Sequence, residues 1–448
     1  MNIENTTLEI ETQKKALYHL ANYALNAAKP FARDAEVNIL HSQGIGVSTR
    51  LGETENIEFN KDIALTITVY DKGRKGTAST NVLSKSAITK AINAAVDIMH
   101  YTSCDPHVGL GEVERMAFNA MNLDLFYPGN LDINNAVNLA KEAEKKALSF
   151  KKISGSEGGQ YDSNHGIAVY ANSMGMLESC ASSRHTLSCS VISEEAGLME
   201  RNYAYTTARD HRDLVGAERV GQQAAERTIA RLGARRIATT KTPVIFCKDV
   251  AGSLFAHLAG AIEGKAIYQR SSFLLASLHN KLFPSWFSIH EDPYINKGLG
   301  SASFDQEGMK TYQQDIIKNG VLQTYLLNNY SARRIGMAST GHAGGIYNWL
   351  FNATEPTLSH LLKKMNKGLL VTSLMGQGVN LITGDYSRGA SGFWIENGEI
   401  QYPVNEITIA GNLKTMFSNL VAMSNDIETR SRIQAGSLLI EEMSIAGK

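Results

Sequence analysis

A chain of 448 residues with 43% hydrophobic and 20% charged residues has the composition of a soluble globular protein and length for two to three domains. Lysine plus arginine equals aspartate plus glutamate, at 44 each, which argues against a nucleic-acid binder or a membrane-surface binder working by charge. The four cysteines, Cys104, Cys180, Cys189 and Cys247, form no Cys-x-x-Cys pair, so free thiols in a reducing compartment are expected.

Met1 to Lys15 is polar, with Glu4, Glu9 and Glu11. It has no basic segment followed by an apolar core, so no signal peptide is expected. No apolar run approaches the ~20 residues that span a bilayer, and the expected location is cytoplasmic. Thr12 to Ala28 reads as a helix ended by Pro30. Val37–Leu40 and Ile45–Thr49 read as extended chain, and Ala64–Tyr70 alternates threonine with apolar residues like a half-buried strand. Asp71-Lys72-Gly73 turns the chain toward a partner strand at Lys75–Thr80, and Ser84 caps a helix carrying Ile88, Ala91, Ile92, Ala95 and Met99. Residues 105–130 read as a connector. Asp132 caps a helix over Ile133–Phe150, and strands follow at Ile167–Tyr170 and Leu187–Ile192, with Asn172–Gly175 as the turn between them. A helix from Val215 to Arg231 closes this part.

The last ~210 residues open with the strand Val244–Phe246 and an Ala- and Gly-rich helix over 250–264. Beyond residue 295 the pattern is short strands and glycine turns, with Glu396-Asn397-Gly398-Glu399 the clearest hairpin. The fold class expected is α+β: an α/β N-terminal half and a β-rich, barrel- or sandwich-like C-terminal domain. The expected division is 1–105, 106–236 and 237–448.

Several side chains invite a functional reading. His257 can serve as a base or a substrate contact, but among Leu258, Ala259 and Ile262 a satisfied, partly buried histidine is the simpler expectation. His342, Gly344 and Gly345 lie in a glycine-rich loop. Such a loop either lets backbone approach a peptide strand or is merely a tight connection, and the two readings carry equal weight. Asp385 and Arg388 suggest either a clamp on a peptide terminus or, more simply, an internal ion pair. Glu194-Glu195 reads as a solvated turn or strand end, because adjacent strand residues point to opposite faces. Gly376-Gln377-Gly378 lacks the third glycine of a dinucleotide fingerprint. There is no Gly-x-Ser-x-Gly elbow.

Seven segments in order resemble the TldD/PmbA family, in its PmbA (TldE) branch. They are Gly46–Arg50 with Glu53–Asn60, Met199–Tyr205, Ser339–Gly345, Leu374–Val379, Ile382–Trp394 and Glu406–Leu413. The resemblance implies a cytoplasmic metalloprotease component that processes or degrades small unstructured peptides. It also implies that the metal-bearing branch carries a His-Glu-x-x-x-His helix and a late cysteine as ligands. On that pattern Ala256 and Ala261 stand at the two histidine positions, His257 at the glutamate position, and Ala435 where the cysteine falls. Zinc needs three or four protein ligands, so no metal is expected in this chain and zinc is expected in a TldD-type partner. The partners implied are that paralogue, or a second copy of this chain, and unstructured peptides, with no nucleic acid or membrane. Two other readings stand beside it: a non-catalytic peptide- or regulator-binding scaffold, and a hydrolase with an unrecognised site, for which no nucleophile, base and orienting group emerge.

Overall fold

A computed structural model describes residues 3–129 and 132–447. Met1 and Asn2 of the polar N-terminal stretch, and residue 130 of the expected connector, lie outside the described residues.

Helix α1 (Ile3–Ala28) precedes strands β1 (Asp34–Arg50), β2 (Glu53–Asp71) and β3 (Arg74–Thr80), then helix α2 (Lys85–Tyr101). After the connector come α3 (Ile133–Leu148), β4 (Ile153–Asn172), β5 (Leu177–Glu195), β6 (Leu198–Ala208) and α4 (Ala217–Ile229). All six strands form one antiparallel sheet in the order β3-β2-β1-β4-β5-β6. Period-two alternation decides which face is covered. Val37, Ile39, Ile167 and Val169 bury against α1 and α2, while Val47, Tyr161 and Leu187 bury against α3 and α4. The residues between them, such as Asn38, Leu40 and Thr66, line a chamber facing the C-terminal half.

The caps form as the sequence suggests. Ser84 Oγ accepts the Ala87 N–H at 3.2 Å, and Asp132 Oδ1 accepts the Asn135 N–H at 2.7 Å. Several boundaries differ from expectation, and strands β4 and β5 reach well beyond the segments Ile167–Tyr170 and Leu187–Ile192 that the sequence marks. Helix α1 begins nine residues before Thr12, at Ile3. Strand β2 begins at Glu53 rather than near Ala64, because residues 53–62 are exposed throughout and so carry no alternation of apolar and polar positions.

The C-terminal half holds β7 (Thr240–Phe246), α5 (Lys248–Ile262), α6 (Gly264–Tyr268), β8 (Ile289–Asp292), β9 (Gln314–Lys318), β10 (Val321–Leu322), α7 (Asn329–Arg334) and β11 (Asn348–Phe351). It continues with α8 (Leu358–Met365), β12 (Gly368–Met375), β13 (Asp385–Glu396), β14 (Glu399–Asn412), α9 (Leu413–Ser418), β15 (Leu420–Met423), β16 (Ile433–Gln434) and β17 (Leu438–Ala446). Strands β14-β13-β12-β7-β17 form a ring that closes through β14–β17, so this half contains a five-stranded barrel, with β15 attached to β17. Closure removes the sheet edges. A second sheet runs β10-β9-β8-β11-β16. Asn397 and Gly398 turn the β13–β14 hairpin with φ of 54° and 73°, the pair of positive angles that a type I′ turn needs. Phe255 of α5 stacks on Phe287 at 5.6 Å, and Phe283 stacks on both Phe287 and Phe417. The short helices α6 to α9 were not expected; five to eight residues are too few for a helical period to show in sequence.

Candidate functional site

Helix α5 follows β7 after Cys247 and carries Asp249 in its first turn, a favourable charge at that end. Asp249 is also gripped by Arg227 Nη2 at 3.2 Å and Arg430 Nη2 at 2.7 Å. Ala251, Leu254, Phe255, Leu258, Ala261 and Ile262 face inward. Ala256, Ala259, Gly260 and Glu263 instead line a cleft of about 560 Å³, whose other wall includes Gly344 and Gly345.

The two degenerate ligand positions therefore differ. Ala256 is exposed at the cleft and Ala261 has no exposed surface, as expected for residues five apart, which do not share a helix face. His257 lies between, half-buried, with its ring edge-on to Tyr386 at 6.2 Å between centroids. Its Nε2 is buried without a hydrogen-bond partner, and so is the Tyr386 hydroxyl; this is not the fully satisfied histidine that the sequence suggests. Burial first, and then the Arg388 charge, hold the His257 pKa below its ordinary value. These residues do not fit a zinc ion. One imidazole beside a cation offers too few ligands and the wrong field. Ala435 is likewise fully buried, and no group of three or more His, Cys, Asp or Glu able to hold a metal occurs among the described residues.

His342 lies under the cleft wall. Its Nδ1 is 2.8 Å from Thr340 Oγ1, and its Nε2 is 2.8 Å from Glu291 Oε2. Both side chains of the His342–Glu291 pair are fully buried. Glu291 also accepts the Tyr347 N–H at 3.0 Å, Trp349 Nε1–H at 2.9 Å and Gln314 Nε2–H at 3.1 Å. Burial alone pushes the Glu291 pKa up, but the His342 bond and charge, with the Tyr347 and Gln314 bonds, bring it below the usual value. The ring thus braces the loop, and Gly344 and Gly345, at φ of 104° and 115°, present backbone to the cleft. A Cβ on Gly344 would come within 2.6 Å of the Gln306 side chain.

Asp385 and Arg388 do not pair. Asp385 accepts from Thr383 Oγ1 at 2.6 Å and Asn412 Nδ2 at 3.1 Å, and so closes a turn. Those two bonds hold its carboxyl below the usual range. Arg388 donates from Nε to the Gly376 carbonyl at 2.9 Å and lines a different groove, of about 600 Å³, beside Val250 and Ser253 of α5. Of the residues singled out from sequence, Ala256, His342, Gly344 and Gly345 meet at one cleft. Arg432 on the wall of that cleft, Glu291 beneath it on His342, and Asp305 and Arg209 in an adjoining chamber were missed: each lies outside any motif, and only the fold brings them near.

Three family models match the chain in order. They are PmbA/TldA metallopeptidase domain 1 at residues 35–98, the central domain at 126–232 and the C-terminal domain at 239–447. A curated relative, Metalloprotease PmbA of Escherichia coli O157:H7, is 52% identical over 441 residues, covering 98% of each chain. Among solved structures, a candidate modulator of DNA gyrase from Bacteroides thetaiotaomicron superposes with a TM-score of 0.91 at 27% identity, covering 96% of this chain and 98% of that one. TldE from Thermococcus kodakarensis shares the fold, at a TM-score of 0.81 and 19% identity over 94% of this chain and 99% of that one. The chain belongs to the PmbA/TldD metallopeptidase family, in its PmbA branch.

Proposed function

We propose that this chain is the non-metal subunit of a cytoplasmic peptidase, working with a TldD-type paralogue that carries the zinc, its ligands and the general base. The observation that carries the reading is the identity of the residues on α5. The cleft-facing ligand position is Ala256, the second is the buried Ala261, and the imidazole between them packs edge-on to Tyr386 within the field of Arg388. The family's peptide chemistry therefore needs a second chain. Here the cleft beside α5, with the bare backbone of Gly344 and Gly345 on one wall, receives an unstructured peptide as extended chain. Main-chain hydrogen bonds tolerate varied side chains, which suits trimming of small peptides and leader removal.

Co-expression tests this. The chain should co-purify with its TldD-type paralogue, and the complex should hold zinc in proportion to the paralogue alone. One zinc retained per copy of the isolated chain, or no association with the paralogue, would contradict the proposal.

A further inference from the structure

The chamber between the N-terminal sheet and the C-terminal half has a volume of about 640 Å³. It adjoins the α5 cleft, sharing Ala343, Gly344, Ile346 and Arg432 as common wall. Two guanidinium groups line it, Arg209 and Arg432. Arg209 is strapped across the junction: Nη1 donates to the Ser183 carbonyl of β5 and Nη2 to the Leu299 carbonyl, both at 3.1 Å. Its Nε is buried with no partner. Arg432 donates from Nη1 to the Ile346 carbonyl at 3.2 Å. Neither has an ion-pair partner among the described residues. Asp305, the one carboxylate on the chamber wall among the described residues, is occupied by the backbone N–H groups of Glu307, Met309 and Ala343.

Two cations held near each other without a counter-charge are costly unless something anionic joins them. The cost is felt at Arg209, which burial first, and the neighbouring Arg184 and Arg432 after it, pull below its ordinary value against an opposing effect of Cys180. The remaining wall is largely apolar, with Leu40, Ala168 and Phe304, suited to the flanking parts of a peptide. We infer that Arg209 and Arg432 form a carboxylate-recognition site, which anchors an acidic side chain or the C-terminal carboxylate of a peptide lying in the adjoining cleft. Guanidinium is matched to that task, since its planar fork binds both carboxylate oxygens at once. The inference rests on the peptide-cleft reading above and adds a charge preference to it.

Fluorescence anisotropy on the full chain tests it with three labelled ten-residue Gly/Ser/Ala peptides. One carries a central Glu and an amidated C-terminus, one a central Gln and a free C-terminus, and one a Gln and an amide. At least one carboxylate-bearing peptide should bind about tenfold more tightly than the neutral one, and Arg432→Gln should abolish the difference. Which peptide gains identifies the source of the carboxylate. Arg209→Lys, checked for unchanged thermal unfolding, should reduce the gain partly, because lysine keeps the charge without the fork. Equal binding of all three peptides, or equal weakening of all three by Arg432→Gln, would overturn the site and leave the peptide cleft standing. A parallel titration with glutarate separates the two readings. Glutarate binding lost in Arg432→Gln, with no peptide bound, would uphold the anion site and sink the cleft; no response to glutarate or to any peptide would sink both.

Discussion

Glu291 sits on a four-residue strand with no exposed surface, and donors from His342, Tyr347, Trp349 and Gln314 converge on it. Removing it would leave these buried groups unpaired. Glu291→Ala should therefore lower stability by about 3–5 kcal/mol in urea denaturation; a loss under 1 kcal/mol would show that the network does not hold the loop. Glu307 makes a different prediction. Burial first, and nearby Asp305 and Glu36, raise its pKa from 4.5 to about 7, against the Asn329 N–H bond. A raised carboxyl binds its proton more tightly folded than unfolded, so stability falls as pH rises past 4.5 and the full loss is reached above about 7. Glu307→Gln should be more stable than the parent at pH 8 by about 2 kcal/mol, with the gain gone near pH 4.5. Denaturation at both pH values checks the sign. Neither residue was legible in the sequence, because burial and partners far away in the chain define each: His342 is 51 positions from Glu291, and Asn329 and Glu36 reach Glu307 only through the fold.

Among the elements, those with a strong period were legible and those decided by neighbours were not. Helix α2 was found from Ile88, Ala91, Ile92, Ala95 and Met99, all of which are buried. The β13–β14 hairpin was found from Asn-Gly alone. The first part of β2 was missed because its residues face water on both sides. Helices α3 and α4 pack through small residues, and a Cβ on Gly221 would stand 1.9 Å from the Ala143 carbonyl. Backbone cannot yield as a side-chain tip can, so Gly221→Ala should cost about 1–3 kcal/mol despite its gain in helix propensity; thermal unfolding of the variant tests this. Helix α5 carries the same lesson toward function. A histidine is sterically free at exposed position 256, whereas at position 261 it would enter a closed core. Ala261→His should destabilise by at least about 2 kcal/mol, and Ala256→His by under about 0.5 kcal/mol. Equal effects would mean that Ala261 does not sit in a closed core.

At the scale of the molecule, the closed barrel was foreseen as one of two forms, barrel or sandwich, and the six-stranded sheet only as part of an α/β half. Ring closure depends on the β14–β17 pairing, which joins segments that carry no mutual signal. The cleft and the chamber arise where the two halves meet, so their lining was largely illegible: Gly344 lay in a motif, but Arg209 and Arg432 did not. Across the described residues no helix is long and apolar enough to cross a membrane. On the proposed function, α5 belongs to a subunit whose hydrolytic metal is held by a second chain. The most direct measurement is cleavage of an unstructured peptide by the purified chain alone and by the chain mixed with its TldD-type paralogue, each with and without a chelator. No cleavage by the chain alone and chelator-sensitive cleavage by the mixture are expected; cleavage by the chain alone would overturn the proposed function.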